Sequence, residues 1–87
     1  MTHTPLNDLQ TFIERALRDE NVSLNEIEGI VITPRGAADK KIIDAFWNEL
    51  MMFVNDYDIR MSEKQYNDSR KGRLRSAFDA VIESGLF

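Results

Sequence analysis

Eighty-seven residues, 43% apolar and 30% charged, supply one hydrophobic core and no second, so a single domain spanning residues 1–87 is expected. The chain has no cysteine, which excludes a disulfide framework, a thiolate metal site and thiol catalysis, and fits a reducing cytoplasm. Eleven bases against fifteen acids give a net charge of −4, which disfavours non-specific binding to nucleic acid or to an anionic membrane surface. No apolar stretch approaches the roughly 20 residues of a membrane span. The first ten residues lack the basic and apolar regions of a signal peptide, so a soluble, unprocessed protein is expected.

Thr4 followed by Pro5 reads as an N-cap with proline at the first helical position. Leu6, Leu9, Phe12, Ile13, Ala16 and Leu17 recur at helical spacing, which predicts a first helix to about Asp19. Ser23-Leu24-Asn25-Glu26 is a capping box and predicts a second helix from Leu24. Gly29 weakens that helix, and the β-branched run Ile30-Val31-Ile32-Thr33 is equally compatible with a short strand. Pro34-Arg35-Gly36 reads as a turn. A long central helix follows near residues 38–57, with Ile42, Ile43, Phe46, Trp47, Leu50, Met51, Val54 and Tyr57 on one wide face, widened further by Met52 and Phe53. Residues 58–68 are polar and read as a connection, with Ser62 to Gln65 a weaker capping-box match. Asp68 or Ser69 would cap a last helix that buries Leu74, Ala77, Phe78, Val81 and Ile82 and stops at Gly85, with Leu86 and Phe87 folding back onto the core. The expected fold is all-α, a compact bundle of about four helices.

Catalytic signatures are sparse. His3 is the sole histidine and lies near the terminus, no serine sits in a nucleophile elbow, and the Pro34 turn lacks the glycines and lysine of a phosphate loop. Asp44 with Glu49, or Asp56 with Asp58, are conceivable acid–base or magnesium pairs, but helical acids of this kind generally solvate a face. No catalytic residue, cofactor or metal site is therefore expected, and the protein is not expected to be an enzyme.

The charge is uneven along the chain: residues 1–33 carry −4, residues 34–58 carry −2 and residues 59–87 carry +2. Arg70, Lys71, Arg73 and Arg75, with Arg60 nearby, have the composition of a phosphate-binding run. Leu74 splits these cations around a helix and no aromatic residues interleave with them, so pairing with acids from the first half of the chain is the expected use. Five large apolar residues, Phe46, Trp47, Met51, Met52 and Phe53, exceed one helical face, so one or two are expected at the surface for a partner.

Glu49-Leu50-Met51-Met52-Phe53 leads into Asn55-Asp56-Tyr57-Asp58, then a polar stretch carrying Arg60, then Tyr66-Asn67-Asp68 and the helical run from Gly72-Arg73-Leu74-Arg75 to Val81-Ile82. In order and spacing this half of the chain resembles the small helical immunity proteins that neutralise colicin D-type and related contact-dependent tRNase toxins. The resemblance implies a cytoplasmic bacterial inhibitor that plugs the basic active-site cleft of one cognate nuclease domain, one to one, with acidic side chains in place of RNA phosphates. It implies no membrane or direct nucleic-acid contact, and a free protein that is monomeric. On the residues, Asp56 and Asp58 around Tyr57 are the first choice for the toxin-binding surface, extended by Asp44 and Glu49, with Glu63 a further candidate. Two alternatives use other features: an antitoxin or nucleic-acid-linked regulator would employ Arg70, Lys71, Arg73 and Arg75, and a phage-type inhibitor would turn the acidic face to an unrelated basic partner.

Overall fold

Pro5 opens the first helix, α1 (Pro5–Leu17), in a computed structural model that describes residues 5–86. Its expected cap, Thr4, and His3 lie outside the described residues, as does Phe87. Leu9, Phe12, Ile13 and Ala16 are buried, the stripe that the spacing predicts. The helix ends two residues earlier than expected because Asp19 takes a left-handed backbone, φ 67°, which breaks the helical path. Aspartate is among the few non-glycine residues that tolerate this region.

The capping box at Ser23 forms: its hydroxyl accepts the Asn25 N–H at 3.3 Å, and the Glu26 carboxylate accepts the Ser23 N–H at 3.1 Å. What it starts is a single 3₁₀ turn, Leu24–Ile27, rather than a full helix. The Ile30 to Thr33 run is neither helix nor strand. Ile27 and Ile32 are drawn into the core while Val31 and Thr33 face outward, so apolar anchoring, not backbone pairing, fixes the segment.

The central helix α2 (Ala37–Asn55) buries Ile43, Phe46, Leu50 and Phe53. Its start is held by Asp39, whose carboxylate accepts both the Arg35 N–H at 3.1 Å and the Arg35 Nε–H at 2.9 Å. The same guanidinium donates to the Ser84 carbonyl at the far end of the chain. Within the wide apolar face, Phe53 is fully buried, whereas Met51 is 46% exposed.

The main departure from expectation lies beyond Asn55. The central helix does not run on to Tyr57, and residues 58–68 are not a connection: after Asp56 a short helix α3 (Tyr57–Ser62) begins, and α4 (Lys64–Glu83) follows after Glu63. The inward positions of this stretch are the polar Arg60 and Asn67, so apolar periodicity has nothing to detect until Leu74. The Ser62 to Gln65 box does not form; Ser62 donates its hydroxyl to the Asp58 and Ile59 carbonyls, and Glu63 caps α4 without a side-chain bond. Farther along α4, Leu74, Phe78 and Val81 are buried as the spacing predicts, whereas Ile82 is exposed. Gly85 supplies the left-handed stop at φ 68°, and Leu86 packs against the core.

The result is an all-α bundle of four helices, three-quarters helical and without a strand among the described residues. Phe46 of α2 and Phe78 of α4 meet at 5.6 Å between ring centroids, where the two longest helices share their buried faces. The molecule measures 39 × 32 × 18 Å, and the short dimension is less than two full helix diameters, so each helix keeps one wet side.

Candidate protein-binding surface

Arg60 is 1% exposed. A short helix carries it inward from the turn after α2, where its guanidinium lies 3.6 Å above the Phe53 ring centroid. Its Nε–H donates to the Phe53 carbonyl at 2.9 Å and one terminal nitrogen donates to Asn67 Oδ1 at 2.9 Å. The carboxylate of Asp19 stands 3.8 Å from the same nitrogen, accepts the Asn67 amide at 3.1 Å and accepts Lys71 at 3.0 Å. Burial pushes the Arg60 pKa below its ordinary value, and Asp19 is the largest influence opposing that shift. Partial burial acts to raise the Asp19 pKa, but the bonds from Asn67 and Lys71 and the nearby cations outweigh it and hold the carboxyl below its ordinary range. Charge and hydrogen bonding thus fasten the end of α1 to α3 and α4.

A second network lies between α2 and the first turns of α4. Tyr66 donates its hydroxyl to Asp56 at 2.6 Å, Arg70 donates Nε–H to the Tyr66 oxygen at 3.1 Å, and the same guanidinium reaches Glu49 at 3.4 Å. Glu49 and Asp56 are seven residues apart, about 20° from perfect alignment on a helix, which is why one row of α4 side chains reaches both.

These two networks redistribute the six residues singled out in the sequence. Glu49 and Asp56 belong to the Tyr66–Arg70 ladder and are half-buried. Tyr57 is half-buried, with the Arg60 guanidinium 5.6 Å from its ring centroid. Asp44 is exposed, 3.7 Å from Lys40, and stands about 140° around α2 from Glu49, so the two do not share a side. Asp58 lies in the first turn of α3, where it favours the helix dipole instead of opposing one at a C-terminus. Among the described residues, the carboxylates of Asp58 and Glu63 have no hydrogen-bond or ion-pair partner, and both are exposed.

The basic run is divided in the same way. Arg70 and Lys71 are consumed by Glu49 and Asp19, while Arg73 and Arg75 are exposed and, two positions apart on a helix, point about 160° away from each other. They form no single row for a phosphate backbone.

One feature was invisible to pattern reading. Because α3 turns Arg60 inward, Ile59 and Met61 are left outward, 49% and 42% exposed, between Asp58 and Glu63. Two positions apart on the helix, they stand about 160° from each other, Met61 one turn from Asp58 and Ile59 one turn from Glu63, so each flank of α3 carries one exposed apolar side chain beside one free acid. No three His, Cys, Asp or Glu side chains are grouped to hold a metal ion among the described residues, and no helix is long and apolar enough to cross a membrane among them. Comparison with family models, with curated protein sequences and with solved structures returns no match.

Proposed function

We propose that this protein is an inhibitor of the immunity type, which binds one basic nuclease domain, one to one, and blocks its RNA-binding cleft. The observation that carries this reading is the α3 corner, where the unpaired carboxylates of Asp58 and Glu63 flank exposed Ile59 and Met61. A cleft lined by lysine and arginine focuses positive potential, so an acidic corner is drawn to it at long range and held there by charge-assisted hydrogen bonds. Ile59 and Met61, on opposite flanks of α3, each add apolar contact area beside one of these acids. Arg60 gives the corner a fixed posture, because its side chain is stacked and bonded beneath it. Asp44, Glu49, Asp56 and Tyr57 belong to the surrounding acidic field or to the supports, with Asp58 and Glu63 making the direct contacts. On this reading the protein is cytoplasmic, monomeric when free, needs no cofactor and performs no catalysis, and it answers a tRNase toxin of the bacteriocin or contact-dependent growth inhibition kind.

The test is co-expression with a basic nuclease domain recovered from the host by pull-down with this protein. The double variant Asp58→Lys, Glu63→Lys should keep its helical circular dichroism and lose protection, whereas Asp44→Lys should protect nearly as well as the parent. Full protection by the double variant would move the contact surface elsewhere. Failure to recover any basic nuclease partner by pull-down from the host would end the immunity reading itself.

A further inference from the structure

On the opposite flank of α2 from the Tyr66–Arg70 ladder, Leu24, Ile27 and Ile30 face Trp47 and Met51 across an open groove of about 340 Å³. Trp47 and Met51 are four residues apart, one helical turn, so they form a continuous apolar ridge along one wall. The other wall is the 3₁₀ turn and the irregular segment after it. Glu28 is the sole ionic side chain lining the groove; it is exposed and has no partner among the described residues. Five apolar side chains with one free acid and no cation define what fits there.

We propose that this groove receives a cationic amphipathic segment of a partner protein, with apolar side chains laid over Trp47 and Met51 and a lysine or arginine reaching Glu28. The alternatives fit less well. A second copy docked by two-fold symmetry would present the same acidic patch twice in a chain of net charge −4. Nucleic acid has the wrong sign for Glu28. A small apolar ligand would leave Glu28 without a function in a groove that is open to water.

Interface size argues in the same direction. A stable complex buries about 800 Å² on each partner, from some 20–30 residues, and the handful of exposed side chains on α3 is too few to provide that. Met51 lies five residues before Asp56, about 7.5 Å along the helix axis but about 140° around it, so the groove is a second surface near the same end of α2. The chemistry of the occupant follows from the groove; that it belongs to the same basic domain as the one held by the α3 corner rests on the function proposed above.

Trp47 is the only tryptophan in the chain, so its fluorescence reports occupancy of the groove. The probe is a 14-residue peptide with leucine at the i, i+3, i+4 and i+7 positions and lysine elsewhere, compared with a leucine–glutamate analogue and a scrambled leucine–lysine control. The leucine–lysine peptide should shift Trp47 emission saturably, and Glu28→Lys or Met51→Glu, both at exposed sites, should weaken it about tenfold. The two control peptides should give no saturable shift. A response that both variants leave intact, or one equalled by either control, overturns the groove. Peptide binding that survives Asp58→Lys, Glu63→Lys while nuclease binding is lost keeps the two surfaces distinct. Peptide binding with no nuclease partner at all leaves the groove standing and removes its proposed owner.

Discussion

Arg60 and Asp19 show how a side chain unfit for a core can organise one. Arginine is rarely buried, and here each face or edge of the guanidinium has an assignment: Phe53 beneath it, the Phe53 carbonyl and Asn67 at its edge, and Asp19 nearby. Arg60→Ala should cost about 3 kcal/mol in urea denaturation, since it opens a hole and strips Asn67 and a carbonyl of their donor. Arg60→Lys should recover less than half of that, because an ammonium neither stacks flat nor forks; equal stability of the lysine variant would refute this account. Asp19 gives a sharper test, since asparagine accepts the same left-handed backbone and keeps one acceptor oxygen while removing the charge and the second acceptor. Asp19→Asn should cost about 1 kcal/mol at neutral pH. The carboxyl is held below its ordinary value of 3.8, so its contribution is complete above that pH and is lost as pH falls through the lower folded value. The parent should therefore lose stability below about pH 4 more steeply than Asp19→Asn, as read from thermal midpoints across that range.

At the level of elements, the three apolar stripes were legible because leucine, isoleucine and phenylalanine repeat at helical spacing in α1, α2 and the second half of α4. The stop at Gly85 and the box at Ser23 were legible for local reasons, a left-handed turn and two reciprocal hydrogen bonds. The segment from Asp58 to Asp68 was not, because its inward residues are Arg60 and Asn67 and polar side chains announce a surface. Their partners make those positions interior: Phe53 and each other seven residues away, and Asp19 forty-eight residues from Asn67. The same blindness hid the candidate surface: Ile59 and Met61 gain meaning only once α3 is known to turn Arg60 inward. Asp58 and Glu63 were singled out from sequence and are free, whereas Asp56 and Glu49 are occupied by Tyr66 and Arg70, a pairing across ten and twenty-one residues that no local pattern contains. Helix α4 also carries an avoidable weakness in Gly72, which is exposed, helical and has no atom within 4 Å of the place a Cβ would take. Gly72→Ala should raise stability by about 0.5–1 kcal/mol, visible as a higher thermal midpoint; a lower midpoint would refute the reading of Gly72 as an unobstructed helical position.

For the whole molecule, fifteen acids over eleven bases give a field that favours cationic partners, and the pairing of Arg15, Arg35, Arg70 and Lys71 takes one acid with each base, so the excess of four rests on the acids left over. Association with a basic nuclease domain should accordingly slow as salt rises from about 0.1 M to 1 M, where the screening length falls from about 10 Å to 3 Å, and stopped-flow rates independent of salt would rule out steering by the acidic corner. The junction of Asp19 with Asn67 and Lys71 has a further consequence, for the order in which the chain folds. It joins residues 48 and 52 positions apart in a protein without cysteine, so it does the topological job of a cross-link while leaving the unfolded chain unrestrained. A clasp that must be refastened at each folding event closes after the helices it spans have met, because loop entropy is surrendered before distant contacts reward it. Loss of the clasp in Asp19→Asn should thus leave the refolding rate almost unchanged and appear as faster unfolding, a φ-value near zero, whereas a value near one would place α1 in the folding nucleus.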